Sequence, residues 1–176
     1  PIVAITAQVV ARSLGTDEFQ EVDIIGVTMP ITKWNYQITS ADEIPEIIAK
    51  AFYLARTGRP GPVLIDITKD ALVTEIGNFT YKPCEYVRGY YPYPKLNQTE
   101  IDEAIKLIDN AKQPIIFAGH GVELSQAQDE LIALSEKANI PIASTIMSLN
   151  TINYDHPNFV GMLGMHGNYA PNIKTN

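Results

Sequence analysis

A single cysteine, Cys84, stands in 176 residues, so no disulfide can form within the chain and no thiolate cluster can hold a metal. A reducing compartment, the cytoplasm, is the expectation that follows. Histidine is scarce too: His120 and His166 sit among glycines with no carboxylate or thiolate at ligand spacing, and His156, in Asp155-His156-Pro157, reads as a surface turn. No metal site is expected within the chain. Long apolar runs are missing, none approaching the ~20 residues that cross a bilayer. Basic residues are outnumbered, with 13 Lys and Arg against 20 Asp and Glu for a net charge of -7. None cluster, which argues against nucleic acid and anionic membranes as partners. No Ser/His/Asp order, Walker lysine loop or metal-binding helix is present. The start, Pro1-Ile2-Val3-Ala4-Ile5, has neither an initiator Met nor a charged targeting region. The polar tail Asn172 to Asn176 has no closing element, so the sequence reads as an internal piece.

What is present is an α/β rhythm. Ile2 to Thr6 is a β-rich apolar run, and Gly15-Thr16-Asp17 reads as a loop entering a helix near Phe19-Gln20-Glu21. Ile31 to Ile38 alternates like a strand. Ser40 with Glu43 makes a capping box for a helix whose face is Ile44, Ile47, Ile48, Ala51 and Ala55, and Gly58 ends it. Val63-Leu64-Ile65-Asp66-Ile67 is nearly all apolar, as a parallel strand covered on both faces should be. From Gly77 to Lys95 a Pro- and Tyr-rich stretch without period reads as an extended linker. Beyond it, Thr99 is the expected cap of a helix with the face Ile101, Ala104, Ile105 and Ile108. Pro114 to Ala118 reads as a strand and Gly119-His120-Gly121 as a tight turn. Ser125 with Gln128 forms a second capping box before the face Ala127, Leu131, Leu134 and Ala138, and Pro141 to Ser144 closes a right-handed βαβ unit.

The residues alone leave alternatives open. Gly119-His120-Gly121 between a strand and a helix is either a phosphate cradle or a plain turn; it lacks the third glycine of the dinucleotide fingerprint and the acidic residue about 20 positions on. Arg59 either clamps a phosphate with its planar fork or neutralises a helix end. Lys69 sits at the carboxyl end of a strand, where α/β sheets gather ligand groups, unless it is spent on Asp66 or Asp70. Asp17, Glu18, Glu21 and Asp23 read as a helix N-terminus rather than a catalytic carboxylate pair.

One long motif goes further. Gln8-Val9-Val10-Ala11-Arg12-Ser13-Leu14-Gly15-Thr16-Asp17-Glu18-Phe19-Gln20-Glu21 resembles the segment Q-V-P-x-x-x-I-G-T-D-A-F-Q-E of acetolactate synthase large subunits. The resemblance continues through Ile31 to Asn35, Gly58 to Asp66 with Lys69-Asp70, Pro141 to Met147, and Gly161 to Gly167. It implies α/β domains with parallel sheets in three layers: residues 1–76 as the second half of a pyrimidine-binding domain, 77–95 as a linker, and 96–176 as the first part of a Rossmann-like central domain associated with FAD.

The resemblance also implies roles. Phe19 and Gln20 match residues beside the reaction centre, with Gln20 near the reacting acyl group, and Lys69 matches a lysine of the substrate channel. Arg59, Gly119, Gly121, Thr145, Ile146, Met147, Met165, His166 and Gly167 match contacts to FAD, a structural cofactor in this family. Thiamine diphosphate and magnesium are implied as well, held mostly by segments outside this chain. Val10, Glu18, Thr68 and His120 depart from the family's proline, alanine, proline and glycine, and Val10 and Glu18 border the substrate channel. The implied activity is condensation of two 2-oxo acids in branched-chain amino-acid biosynthesis by a transferase. A dimeric or tetrameric parent with room for a small regulatory subunit is expected, and no activity from the piece alone. The rivals are another thiamine-diphosphate enzyme, such as a glyoxylate carboligase, pyruvate oxidase or 2-oxo acid decarboxylase, or a noncatalytic nucleotide-binding module.

Overall fold

In the computed structural model, which describes residues 1–174, the chain is α/β and divides into two compact units, Pro1–Leu96 and Asn97 onward. Each carries its own three-stranded parallel sheet, as the alternation of apolar strands and amphipathic helices predicts.

The first sheet has the order β1-β3-β2, from β1 (Ile2–Gln8), β2 (Trp34–Ile38) and β3 (Pro62–Thr68). Central strand β3 is buried from Val63 to Thr68, because both neighbours and both faces cover it. On one face Val63, Ile65 and Ile67 pack with Ile38 against Ile47, Ala51, Leu54 and Ala55 of helix α2 (Ile44–Arg56). Each fully buried large aliphatic there contributes about 1.5–3 kcal/mol. The Ser40–Glu43 capping box is formed, and Gly58 takes φ +56 just past the helix end. On the other face runs a polar row: Thr6, Asp66 and Gln37 are register partners across the three strands. The short helices α1 (Ile24–Thr28) and α3 (Lys69–Val73) complete this unit.

Two expectations shift here. No helix forms at Phe19–Glu21; residues 14–20 turn instead, with Asp17 and Gln20 at positive φ, and α1 starts three residues after Glu21 with the Asp23 carboxylate accepting from Gly26 N–H. The Glu21 carboxylate is engaged by the N–H groups of Gly15 and Thr16, so this loop satisfies its amides locally and has no need of a helical turn. The strand read from Ile31 begins only at Trp34, since Pro30 places Met29–Ile31 in a 3-10 turn.

The Pro/Tyr stretch after Gly77 contributes to the first core through Val87 and Tyr90. The Tyr90 hydroxyl donates to the Thr57 carbonyl at 2.9 Å and accepts from Lys33 Nζ at 2.8 Å, and Lys33 Nζ also donates to that carbonyl at 2.6 Å. Burial works to raise the Tyr90 pKa, but the bonds with Lys33 and Thr57 outweigh it and the phenol sits below its ordinary value. Tyr90→Phe removes one member of this clasp, worth about 1 kcal/mol. Trypsin cleavage after Arg88 in the native protein should then accelerate about fivefold.

The second unit opens with α4 (Gln98–Asn110), capped by Asn97, whose side-chain Oδ1 accepts from Thr99 N–H; the cap lies two residues before the expected Thr99. Its apolar stripe is present, yet no α4 residue is buried. Strands β4 (Ile116–Ala118), β5 (Ile142–Ser144) and β6 (Phe159–Met162) lie in that order, and α5 (His120–Leu124) and α6 (Gln128–Ala138) connect β4 to β5. Ala118, Ile142 and Ile152 form the core, with Leu131 and Ile132 of α6 against it. The tight turn expected at Gly119-His120-Gly121 is the start of α5. The second capping box does not form, because the Ser125 hydroxyl donates back to the Gly121 carbonyl at 2.7 Å and closes α5 instead. The helical face shifts accordingly, burying Ser135 while Leu134 stays 42% exposed. His156 is held at both ring nitrogens: Nδ1 accepts from Asn158 N–H at 3.1 Å, leaving the Nε2 proton for Glu136 at 3.2 Å. α7 (Tyr169–Lys174) ends the described structure.

Candidate functional site

Parallel pairing in one-for-one register from Ile2↔Pro62 to Gln8↔Thr68 delivers two segments to the same sheet edge. One is Val9 onward and the other starts at Lys69, and Lys69 N–H donates to the Val9 carbonyl at 3.4 Å. Between them opens a cleft of about 480 Å³ lined by Phe19, Gln20 and Lys69 together with Ala7, Gln8, Val9, Val10, Glu18 and Leu72. The three residues proposed as catalytic are thus gathered at one place, the carboxyl edge of a parallel sheet, where α/β folds collect ligands. Phe19 is 86% exposed, an unusual state for a large apolar ring.

Lys69 is the one cation among the lining residues and Glu18 the one carboxylate. Among the described residues no ion pair joins Lys69 to Asp66 or Asp70. The Asp66 carboxylate is taken by Thr6, Gln37 and Gln8, and that of Asp70 by the Ala11 N–H at 3.1 Å. The Asp70 pKa is lowered, first by the Thr68 hydroxyl and then, against a desolvation effect, by the backbone of Ala11. That hydroxyl is buried without a formed hydrogen bond, so we take its influence on Asp70 as electrostatic. Glu21 is likewise lowered, chiefly by the N–H of Gly15.

Both carboxylates are therefore more acidic folded than unfolded. Their contribution is complete above the ordinary carboxylate range and is lost as pH falls through the depressed folded values. Amide exchange at Ala11, Gly15 and Thr16, followed by NMR, should stay slow at neutral pH and speed up on acidification below about pH 4. Exchange that ignores pH across that window, after correction for its intrinsic rate, would show that neither carboxylate holds the loop.

The second unit brings together a different set. Gly119 and Gly121 follow β4, Thr145, Ile146 and Met147 follow β5, and Met165, His166 and Gly167 follow β6. All three segments leave the same edge of the β4-β5-β6 sheet. His120 Nδ1 lies 3.0 Å from the Met147 carbonyl and 3.2 Å from Glu123 Oε2, linking the first two segments. Nothing lies within 4 Å of where a side chain would begin at Gly119 or Gly121, and Ile146, Met147 and Met165 are 70%, 60% and 92% exposed. Ser144, at the end of β5, buries a hydroxyl with no partner. Gly167 is the opposite case, pressed on the backbone of Met162 and Leu163. Arg59 belongs to the first unit, where it is exposed in the turn preceding β3, at the other end of the strand from Lys69.

Sequence reasoning missed Gln8 and Leu72 as lining residues and the polar row around Asp66. The signal was available in part, since Thr6, Gln8, Gln37 and Asp66 are polar positions inside strands that are otherwise apolar. Among the described residues, no three His, Cys, Asp or Glu side chains gather as a metal site, and no helix is long and apolar enough to cross a membrane.

The family described as thiamine pyrophosphate enzyme, central domain, matches residues 101–174. An acetolactate synthase large subunit of Corynebacterium glutamicum is 47% identical over 167 residues, 95% of this chain and 26% of that protein. A probable acetolactate synthase large subunit of Methanococcus aeolicus is 46% identical over 98% of the chain and 29% of its own length. The corresponding subunit of Lactococcus lactis subsp. lactis is 42% identical over 98% of the chain and 30% of its own length. The chain spans between a quarter and a third of these relatives, and over that span it is similar to acetolactate synthase large subunits, with the thiamine pyrophosphate enzyme central domain matched in its second unit.

Proposed function

We propose that this chain is part of an acetolactate synthase. The enzyme condenses two pyruvates, or pyruvate and 2-oxobutyrate, to 2-acetolactate or 2-aceto-2-hydroxybutyrate with release of CO2. The observation that carries the reading is the single cleft lined by Phe19, Gln20 and Lys69, in a chain 47% identical to an acetolactate synthase large subunit. Within that cleft the Lys69 ammonium attracts the carboxylate of a 2-oxo acid. Phe19 screens the site from water, and the Gln20 carboxamide donates to the substrate carbonyl oxygen, polarising it. Thiamine diphosphate, when bound, supplies the carbon–carbon bond chemistry.

FAD fits the second unit: the open backbone at Gly119 and Gly121, the partnerless Ser144 hydroxyl and the exposed stretch 145–147 offer polar backbone and apolar surface together. These residues, with Met165, His166 and Gly167, would hold it; its role there is structural. Magnesium does not fit the described residues, which gather no carboxylate cluster. We place it, with most thiamine diphosphate contacts, on other parts of the enzyme. The active form is a homodimer or tetramer, with a small regulatory subunit as a further partner.

The test is product formation by the full-length protein given pyruvate, thiamine diphosphate, magnesium and FAD, with the 176-residue chain assayed beside it. Acetolactate from the full-length protein alone is the expected result. Acetaldehyde or acetyl phosphate in its place moves the assignment to a decarboxylase or a pyruvate oxidase, and turnover by the chain alone overturns the expected dependence on other segments.

A further inference from the structure

Residues 9–22 form a loop with a single 3-10 turn at Ala11–Ser13, and they carry Phe19 and Gln20 to the cleft. A segment this poor in regular structure depends on side-chain anchors for its shape. Gln8, only 7% exposed at the end of β1, bonds to both ends of it. Its Oε1 accepts from Val9 N–H at 2.9 Å and its Nε2 donates to the Val22 carbonyl at 2.7 Å. The two backbone groups have fixed polarity, so they fix which way the carboxamide faces. The same Nε2 points at Asp66 Oδ2 at 3.4 Å. Asp66 is fully buried and its remaining donors are Thr6 at 2.7 Å and Gln37 at 2.9 Å. As an acceptor-only group when ionised, it enforces the same orientation from behind.

We propose that Gln8 is the positioning residue of the cleft: one buried carboxamide, oriented by Asp66, that locks the entry and exit of loop 9–22 to the sheet edge and so fixes Phe19 and Gln20 around the same cleft as Lys69. The kinetic part of this inference rests on the proposed function; the structural part does not.

Gln8→Glu keeps the shape and replaces the donor by an acceptor, setting a carboxylate against the Val22 carbonyl and Asp66. In the full-length protein, hydrogen exchange of residues 9–22 should rise about tenfold while β2, β3 and α2 keep their protection. With pyruvate, KM should rise about tenfold while kcat stays within about threefold. The charged groups around position 8 are Asp66 on β3 and, lining the cleft, Glu18 and Lys69. Beside Asp66 the new carboxyl is protonated more readily and regains a donor as pH falls, so the exchange defect should shrink on acidification towards about pH 5.5, above the window in which Glu21 and Asp70 let go. If Gln8→Glu does not fold, Gln8→Met carries the exchange and KM tests. Unchanged exchange in 9–22, or a rise spread evenly over β2, β3 and α2, overturns the proposal. Localised loosening in a protein that makes no acetolactate leaves the anchor standing and removes the functional reading instead.

Discussion

Lys69→Met in the full-length protein should lower kcat/KM for pyruvate by about 100-fold, chiefly through KM. Lys69 is the one cation lining the cleft, it is exposed, and no carboxylate within its unit occupies it. Its charge is therefore available to a substrate. Methionine preserves the length and apolar stem of the side chain, so the loss reports the charge rather than packing. Lys69→Arg should recover part of the activity, since the charge remains while its planar fork differs from a compact ammonium. Steady-state kinetics with the three proteins decide it, and a Lys69→Met enzyme within threefold of the parent would reduce Lys69 to a solvated surface charge.

The second large effect is expected at Gly167. A side-chain carbon there would lie 2.7 Å from the Leu163 carbonyl carbon and 2.9 Å from that of Met162. These are backbone atoms, which cannot swing aside as a side-chain tip can. The segment is closed by Gly167 N–H donating to the Gly164 carbonyl and Asn168 N–H to the Met162 carbonyl, each at 2.8 Å. Gly167→Ala must open that turn, and with it the edge that we assign to the flavin. FAD content of the purified full-length protein, read from its absorbance, should fall at least tenfold at a given flavin concentration, an order that about 1.4 kcal/mol suffices to produce. Undiminished flavin with an undisturbed fold would move the cofactor away from the Met165–Gly167 segment.

The parallel sheets and helix α2 were legible because several local rules agreed there: a capping box, a 3.6-residue apolar stripe, a glycine at positive φ, and an apolar strand long enough to be central. Loop 14–22 was not. Its acidic residues suit a helix start, yet Glu21 turns back on Gly15 and Thr16, and Asp17 and Gln20 adopt a left-handed backbone that sequence preference disfavours. Ser125 misled for a similar reason: a serine caps whichever helix end lies within reach, and here that is the end before it. At the candidate site, the resemblance supplied the names Phe19, Gln20 and Lys69, while their common cleft depended on a register between residues 60 apart in sequence. Gln8 opens the motif that carries the resemblance, but its part in the site lies in two backbone partners, Val9 and Val22, which no motif records.

Strand β3 sits between β1 and β2, which among the described residues pair with it and with no other strand. Within this chain, therefore, β1 and β2 have no ladder to join until residues 62–68 are present, and β3 closes both at once. Without it two strand segments stay open to chaperones or to misdirected pairing with other chains. A piece of this chain ended before Pro62 should bind holdase chaperones strongly, and one carried through Thr68 to the end of the first unit should escape them.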